Sequence, residues 1–172
     1  MYLKYLKMKN TNYMFMNVVK SFVFSAITLL TFTSANAIEK KALIIGIGSY
    51  PQETGWSQIN GDKDANVVEE SLKGIGFRKT TKLINSQATK VNILDQLNTM
   101  LDSCQQGDVV LFYFAGHGQL ILDYDADELD GYDESLVLYG APKQYDALYK
   151  NENHLLDDQL SDIINKFRIK TY

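Results

Sequence analysis

Two stretches of the chain are apolar almost without a break, Lys41 to Ile47 (KALIIGI) and Val109 to Ala115 (VVLFYFA). Runs of that length and composition predict strands buried on both faces, as in a parallel sheet. Between them, Gly61 to Gly74 opens on Asp62 and Asp64 and places Ala65, Val68 and Leu72 at helical spacing, with Ile75 just beyond. That pattern predicts a helix of about three turns. Phe77 to Leu83 reads as a second, more polar strand. Ala88-Thr89 opens a helix through Leu101 with Val91, Leu94, Leu97 and Leu101 on its inner face, and Gly107-Asp108 closes it. The order β-α-β-α-β requires right-handed crossovers and helices on both faces, a doubly wound α/β architecture.

Past Ala115 the pattern changes. No Lys or Arg occurs between Gly107 and Pro142, and Asp123 to Glu134 gathers seven acids into twelve residues (Asp123, Asp125, Asp127, Glu128, Asp130, Asp133, Glu134). This segment is expected as a surface loop. Ser135 to Tyr139 reads as a short strand and Gly140 to Asn153 as irregular. Leu155 to Phe167 reads as a last amphipathic helix with Leu156, Leu160, Ile163 and Ile164 inward.

Ser21 to Phe32 (SFVFSAITLLTF) is a third apolar run, preceded by lysines without acids and followed by Ala35-Asn36-Ala37. This is the layout of a secretory signal peptide over residues 1–37 with cleavage after Ala37, translation starting at Met1 or at Met14 or Met16. The run is shorter than the roughly 20 apolar residues of a membrane span, so export to the periplasm or the extracellular space is expected, with no stable membrane anchor after cleavage. The rest of the chain is then more acidic than its net charge of −4, because the only charges before Ile38 are Lys4, Lys7, Lys9 and Lys20. An acidic body is a poor partner for nucleic acid.

The 172 residues, 45% of them hydrophobic, suffice for one ordinary domain, and two prolines with 12% aromatics argue against disorder. A single cysteine, Cys104, excludes an intramolecular disulfide, and with two histidines it excludes a Cys/His zinc site.

Chemistry in parallel sheets collects past the carboxyl ends of strands. His117 sits there, after Val109–Ala115 and between Gly116 and Gly118, which permit unusual backbone angles and leave the imidazole uncrowded. A lone histidine is also a common structural residue. Gly46-Ile47-Gly48 lacks a third glycine and a following helix, so it is not read as a phosphate turn. Cys104 falls at a helix end before the strand, far from His117, and reads as non-catalytic. The acidic loop is either a solvated, self-repelling surface or a source of oxygen ligands for calcium, outside the EF-hand register. Asp157-Asp158 either complement a helix dipole or turn toward the same ion.

Taken together, KALIIGIGSYP, INGDKDAN, GDVVLFYFAGHGQ, DADELDGYDE and LLDDQL, spread over Lys41 to Ile164, resemble the caspase-like peptidases of the metacaspase and bacterial orthocaspase branch. The resemblance implies a caspase-like three-layer α/β/α sandwich with a mainly parallel central sheet, incomplete at its C-terminal end. It implies a cysteine endopeptidase acting on peptide or protein substrates after Arg or Lys through a Cys-His dyad. In that scheme His117 is the catalytic histidine, the Gly118 N–H helps hold the oxyanion, Asp64 lines the pocket for the basic side chain, and Asp133, Asp157 and Asp158 bind Ca2+. No organic cofactor is expected. Caspase-type enzymes carry their nucleophile roughly 50 residues after the histidine, and no cysteine follows Cys104 here. The expectation is therefore a fragment or truncated product that is inactive by itself. The alternative is a non-catalytic caspase-homology module that binds a peptide or protein partner.

Overall fold

Every residue from Lys41 to Gly46 is buried in the first strand, β1 (Lys40–Gly46), and its alternating side chains feed two separate cores. A computed structural model describes residues 37–123, 128, 131–146 and 148–172. The chain divides into two units, Met1–Ala37 and Ile38–Tyr172, and the elements described here lie in the second. The expected leader, Ala37 apart, and the loop acids Asp125, Asp127 and Asp130 lie outside the described residues.

β1 is followed by α1 (Gly61–Gly74), β2 (Lys79–Ile84), α2 (Lys90–Ser103) and β3 (Val109–Ala115). The three strands form a parallel sheet in the order β2-β1-β3, with Leu43 opposite Thr81 on one side and Phe112 on the other. Then come β4 (Gly118–Leu122), β5 (Tyr132–Val137), β6 (His154–Leu156) and α3 (Asp157–Thr171). The later strands form an antiparallel sheet, β4-β5-β6.

On one face of the parallel sheet Ala42 and Ile44 meet Ala65 and Leu72 of α1, together with Phe77. On the other, Leu43 and Ile45 join Ile93, Leu97 and Met100 of α2 and Phe167 of α3 in the larger core. Helices on both faces of a mainly parallel sheet make the α/β/α sandwich. Each fully buried Leu or Ile contributes about 1.5–3 kcal/mol of transfer free energy, so β1 anchors both layers.

Several boundaries differ from the sequence reading for physical reasons. β3 is half-buried along its length, not buried on both sides, because it stands at the edge of its sheet among the described residues. Val91 is 67% exposed in the first turn of α2, and the inward face is carried by Ile93, Leu97 and Met100. β4 begins immediately after His117, and β5 begins at Tyr132, inside the segment expected as a loop. Leu155 and Leu156 belong to β6, so the last helix starts at Asp157 and runs to Thr171, with Ile164 half-exposed and Phe167 buried.

Candidate active site

The site is assembled where β1 and β3 end. Gly61, the first residue of α1, touches both strand ends: a Cβ there would lie 2.3 Å from the Ala115 carbonyl oxygen and 2.6 Å from that of Ile47. Only glycine allows that approach, and it seats the α1 N-terminus over the carboxyl edge of the sheet. The loop leaving β1 is tied down by Asn85, which adopts φ 48° and accepts the N–H groups of Gly48 (2.8 Å) and Ser49 (2.9 Å) on its Oδ1. Further along, the Gln58 amide clasps both backbone groups of Tyr50, accepting its N–H at 3.0 Å and donating to its carbonyl at 2.8 Å.

These ties present three groups to His117. The Tyr50 hydroxyl accepts the His117 N–H (3.0 Å) and donates to the Val137 carbonyl (3.1 Å). Tyr50 is only 3% exposed, and burial pushes its phenol up to about 12, so it stays a neutral donor. The Trp56 indole stacks on the imidazole at 4.8 Å with 25° between planes, its own Nε1–H bound to the Ala141 carbonyl (2.9 Å). His117 Nε2 lies 2.9 Å from the Ser57 carbonyl oxygen. A carbonyl only accepts, so this contact assigns the hydrogen to Nε2 and leaves Nδ1 as the basic nitrogen.

The glycines beside His117 do something other than expected. Neither Gly116 nor Gly118 has a positive φ. Gly116 is required by crowding, since a Cβ would sit 2.5 Å from the Phe114 ring and 2.8 Å from the Tyr50 hydroxyl, whereas a Cβ on Gly118 would meet only the Ser135 carbonyl oxygen at 3.5 Å. The Gly118 N–H turns away from β5, because the Val137 N–H is already bonded to the His117 carbonyl (2.9 Å) across a non-hydrogen-bonded Gly118–Leu136 pair.

Asp64 lies exposed in the first turn of α1, on the same edge of the sheet as His117. Cys104 lies at the other edge. It caps α2, is 3% exposed, and sits 4.0 Å from Lys41 Nζ at the start of β1. Seven residues of strand, about 20 Å, separate that end from the carboxyl edge. Burial also pushes the Cys104 thiol up, away from thiolate.

Asp133 is 4% exposed on β5, while Asp157 and Asp158 are exposed in the first turn of α3. The pairing of Ser135 with Leu156 leads the start of α3 toward the Asp133 end of β5. Among the described residues no three His, Cys, Asp or Glu side chains gather closely enough to hold a metal ion. The carboxylates share an edge without forming a ligand set.

Tyr50, Trp56, Ser57, Gln58 and Asn85 were not singled out by sequence reading for this site. The signal available was the two aromatics, Tyr50 and Trp56, in the irregular segment after Gly46-Ile47-Gly48.

A family model described as metacaspase, peptidase C14 domain matches residues 40–171. Metacaspase-1A of Neurospora crassa is 29% identical over 137 residues, covering 74% of this chain and 28% of the relative. Metacaspase-1 of Emericella nidulans is 29% identical over 138 residues, covering 74% and 31%. The chain thus spans less than a third of these relatives. Protein GSU0716 from Geobacter sulfurreducens, a crystal structure, superposes with a TM-score of 0.59 at 25% identity, over 75% of this chain and 46% of that one.

Proposed function

Because the chain belongs to the metacaspase family of C14 peptidases, we propose that residues 38–172 are the caspase-like part of a cysteine endopeptidase that cleaves after Arg or Lys, with His117 as its general base. The observation that carries this reading is the Ser57 carbonyl on His117 Nε2. It fixes the ring and the tautomer, so that Nδ1 is free to take the proton of an attacking thiol and return it to the leaving amine. The outward N–H of Gly118, one residue on, would meet the oxyanion formed when sulfur adds to the peptide carbonyl. Asp64, on the same edge, supplies the carboxylate for a cationic side chain.

The thiol is not among these residues, since Cys104 is the only cysteine and lies at the opposite edge. This chain is therefore expected to bind Arg- or Lys-ended peptides without hydrolysing them. Binding is measured against Gln-ended peptides: a preference of about tenfold for the basic ends, lost in Asp64→Asn, supports the assignment. Hydrolysis abolished by Cys104→Ala would overturn the placement of the nucleophile. The same displaced cysteine favours a second reading, a non-catalytic module that binds a peptide or protein. The DNA beyond the Tyr172 codon separates the two, because a strand bearing a cysteine supports the peptidase and an unrelated gene supports the module.

Export by the leader, with cleavage after Ala37, is part of the proposal, and N-terminal sequencing of exported material should begin at Ile38. Calcium at Asp133, Asp157 and Asp158 is a further part of the proposal, resting on the family resemblance and on the Ser135–Leu156 pairing that leads the start of α3 toward Asp133, although the three carboxylates form no ligand set here. With so few ligands, affinity should lie on the order of 10⁻⁴ to 10⁻³ M. Calorimetric titration should show weak binding in the unaltered chain and none after Asp157→Ala with Asp158→Ala; equal heats from both would return the pair to helix-dipole partners.

A further inference from the structure

β4 leads directly out of the candidate site, its first residue Gly118 following His117. Among the described residues it is an edge strand, paired only with β5. Because Gly118 and Leu136 form a non-hydrogen-bonded pair, alternation gives Gln119 and Ile121 to β5 and turns the N–H and C=O groups of Gly118, Leu120 and Leu122 toward the open side. The amide proposed to hold the oxyanion is thus the first of a row of outward main-chain groups. Edges of this kind are templates for another extended chain, and β4 carries no Pro, Lys or Arg to blunt it.

The side chains specify what kind of chain fits. Leu120 (54% exposed) and Leu122 (48%) stand on the outer face, with Glu134 opposite the first and Tyr132 (44%) opposite the second. The segment from Gly107 to Pro142 contains no Lys or Arg. An apolar strip edged by a carboxylate favours apolar and basic side chains in a neighbouring strand. The strand is also held from its inner face: Ile121 is fully buried, and the Gln119 amide binds the Lys143 carbonyl (3.0 Å) and His154 Nε2 (3.0 Å). The edge is therefore ordered before anything binds it.

We propose that the open edge of β4 receives an extended segment of the peptide substrate as an added strand, with apolar and basic side chains favoured. This deepens the peptidase reading and rests on it only in taking Gly118 as the end nearest the scissile bond. The full chain is titrated, by fluorescence polarisation, with a labelled peptide of alternating Val and Lys, about eight residues long. Two further versions carry backbone N-methyl groups at odd or at even positions. Strand addition uses alternate N–H groups, so one methylated peptide should lose about tenfold or more in affinity while the other keeps it. Leu120→Ser with Leu122→Ser should weaken binding several-fold at an unchanged melting temperature, and a Val-Glu peptide should bind about tenfold more weakly than Val-Lys. Equal affinities of the two methylated peptides overturn the proposal. So do equal affinities for the basic and acidic peptides, or self-association of the chain that excludes the peptide. No cleavage is measured and His117 is untouched, so failure here leaves the peptidase reading standing. Absence of the Arg/Lys preference in the unaltered chain, or its persistence in Asp64→Asn, would overturn that reading and leave strand addition intact.

Discussion

Trp56 is the only tryptophan in the chain, and its stacking on His117 turns it into a reporter of that ring. Removing the imidazole should therefore change Trp56 emission: His117→Ala is expected to alter its intensity relative to the unaltered chain at constant pH, and identical spectra would deny the stacking. The second histidine, His154, is fully buried, accepts the Tyr149 hydroxyl on Nδ1 (2.8 Å) and holds Gln119 with Nε2. Burial, aided by the Lys90 cation, lowers its pKa from 6.5 to about 4. The unfolded chain therefore takes up the proton first as pH falls. The stability owed to neutral His154 is full above about 6.5, declines from there to about 4, and totals at most about 3 kcal/mol. Urea midpoints at neutral pH and near pH 4.5 measure the loss, and His154→Gln should remove most of that pH dependence.

At the scale of elements, what could be read from the sequence was what burial writes into it. β1 and α1 are legible because a strand covered on both faces must be apolar throughout, and because α1 runs from the close-packed Gly61 to Gly74 with acids in its first turn. β4 (GQLIL) and β6 (HLL) are too short to show a period, and β5 starts inside an acidic run because only its alternate residues, Asp133, Ser135 and Val137, are buried. His117 was legible from its place after β3. Its partner Ser57 was not, because a backbone carbonyl has no residue signature, and the loop that aims it is set by side-chain ties from Asn85 and Gln58. Lys41 was legible only as the start of a strand. It is 2% exposed and bonds Asp108 (2.8 Å), Glu39 (3.1 Å) and the Ser103 carbonyl (2.6 Å). This joins β1 to the α2–β3 turn. The Lys41 hydrogen bond holds Asp108 at about 2, so this link is lost only as pH falls from 3.8 through about 2, below most of the His154 window. Lys41→Met leaves a buried carboxylate unpaired and should cost about 3–5 kcal/mol in chemical denaturation, whereas Lys41→Met with Asp108→Asn should recover part of it.

For the molecule as a whole, the parallel sheet poses a problem that its own residues do not solve. Among the described residues, β1, in the middle, is buried from Lys41 to Gly46, but β3 carries an equally apolar sequence at an edge, with Val109 43% exposed. Beside its start, Val109, Val110, Ile164, Phe167 and Tyr172 line a cleft of about 750 Å³ between β3 and α3. Soluble proteins blunt such edges with a charge, a proline or a bulge, and VVLFYFA has no charge and no proline. An apolar edge next to a cleft that these side chains share with Asp108, Arg168 and Thr171 should pair with another chain, so the protein is expected to self-associate as its concentration rises. Sedimentation velocity across a concentration series measures this, and Val109→Lys, at an already exposed position, should shift the distribution toward monomer at an unchanged melting temperature. If β3 is the surface responsible, Leu120→Ser with Leu122→Ser on the other sheet leaves the association as it was. A monomer at every concentration, melting cooperatively at high temperature, would mean that three parallel strands and their two helical layers are enough by themselves.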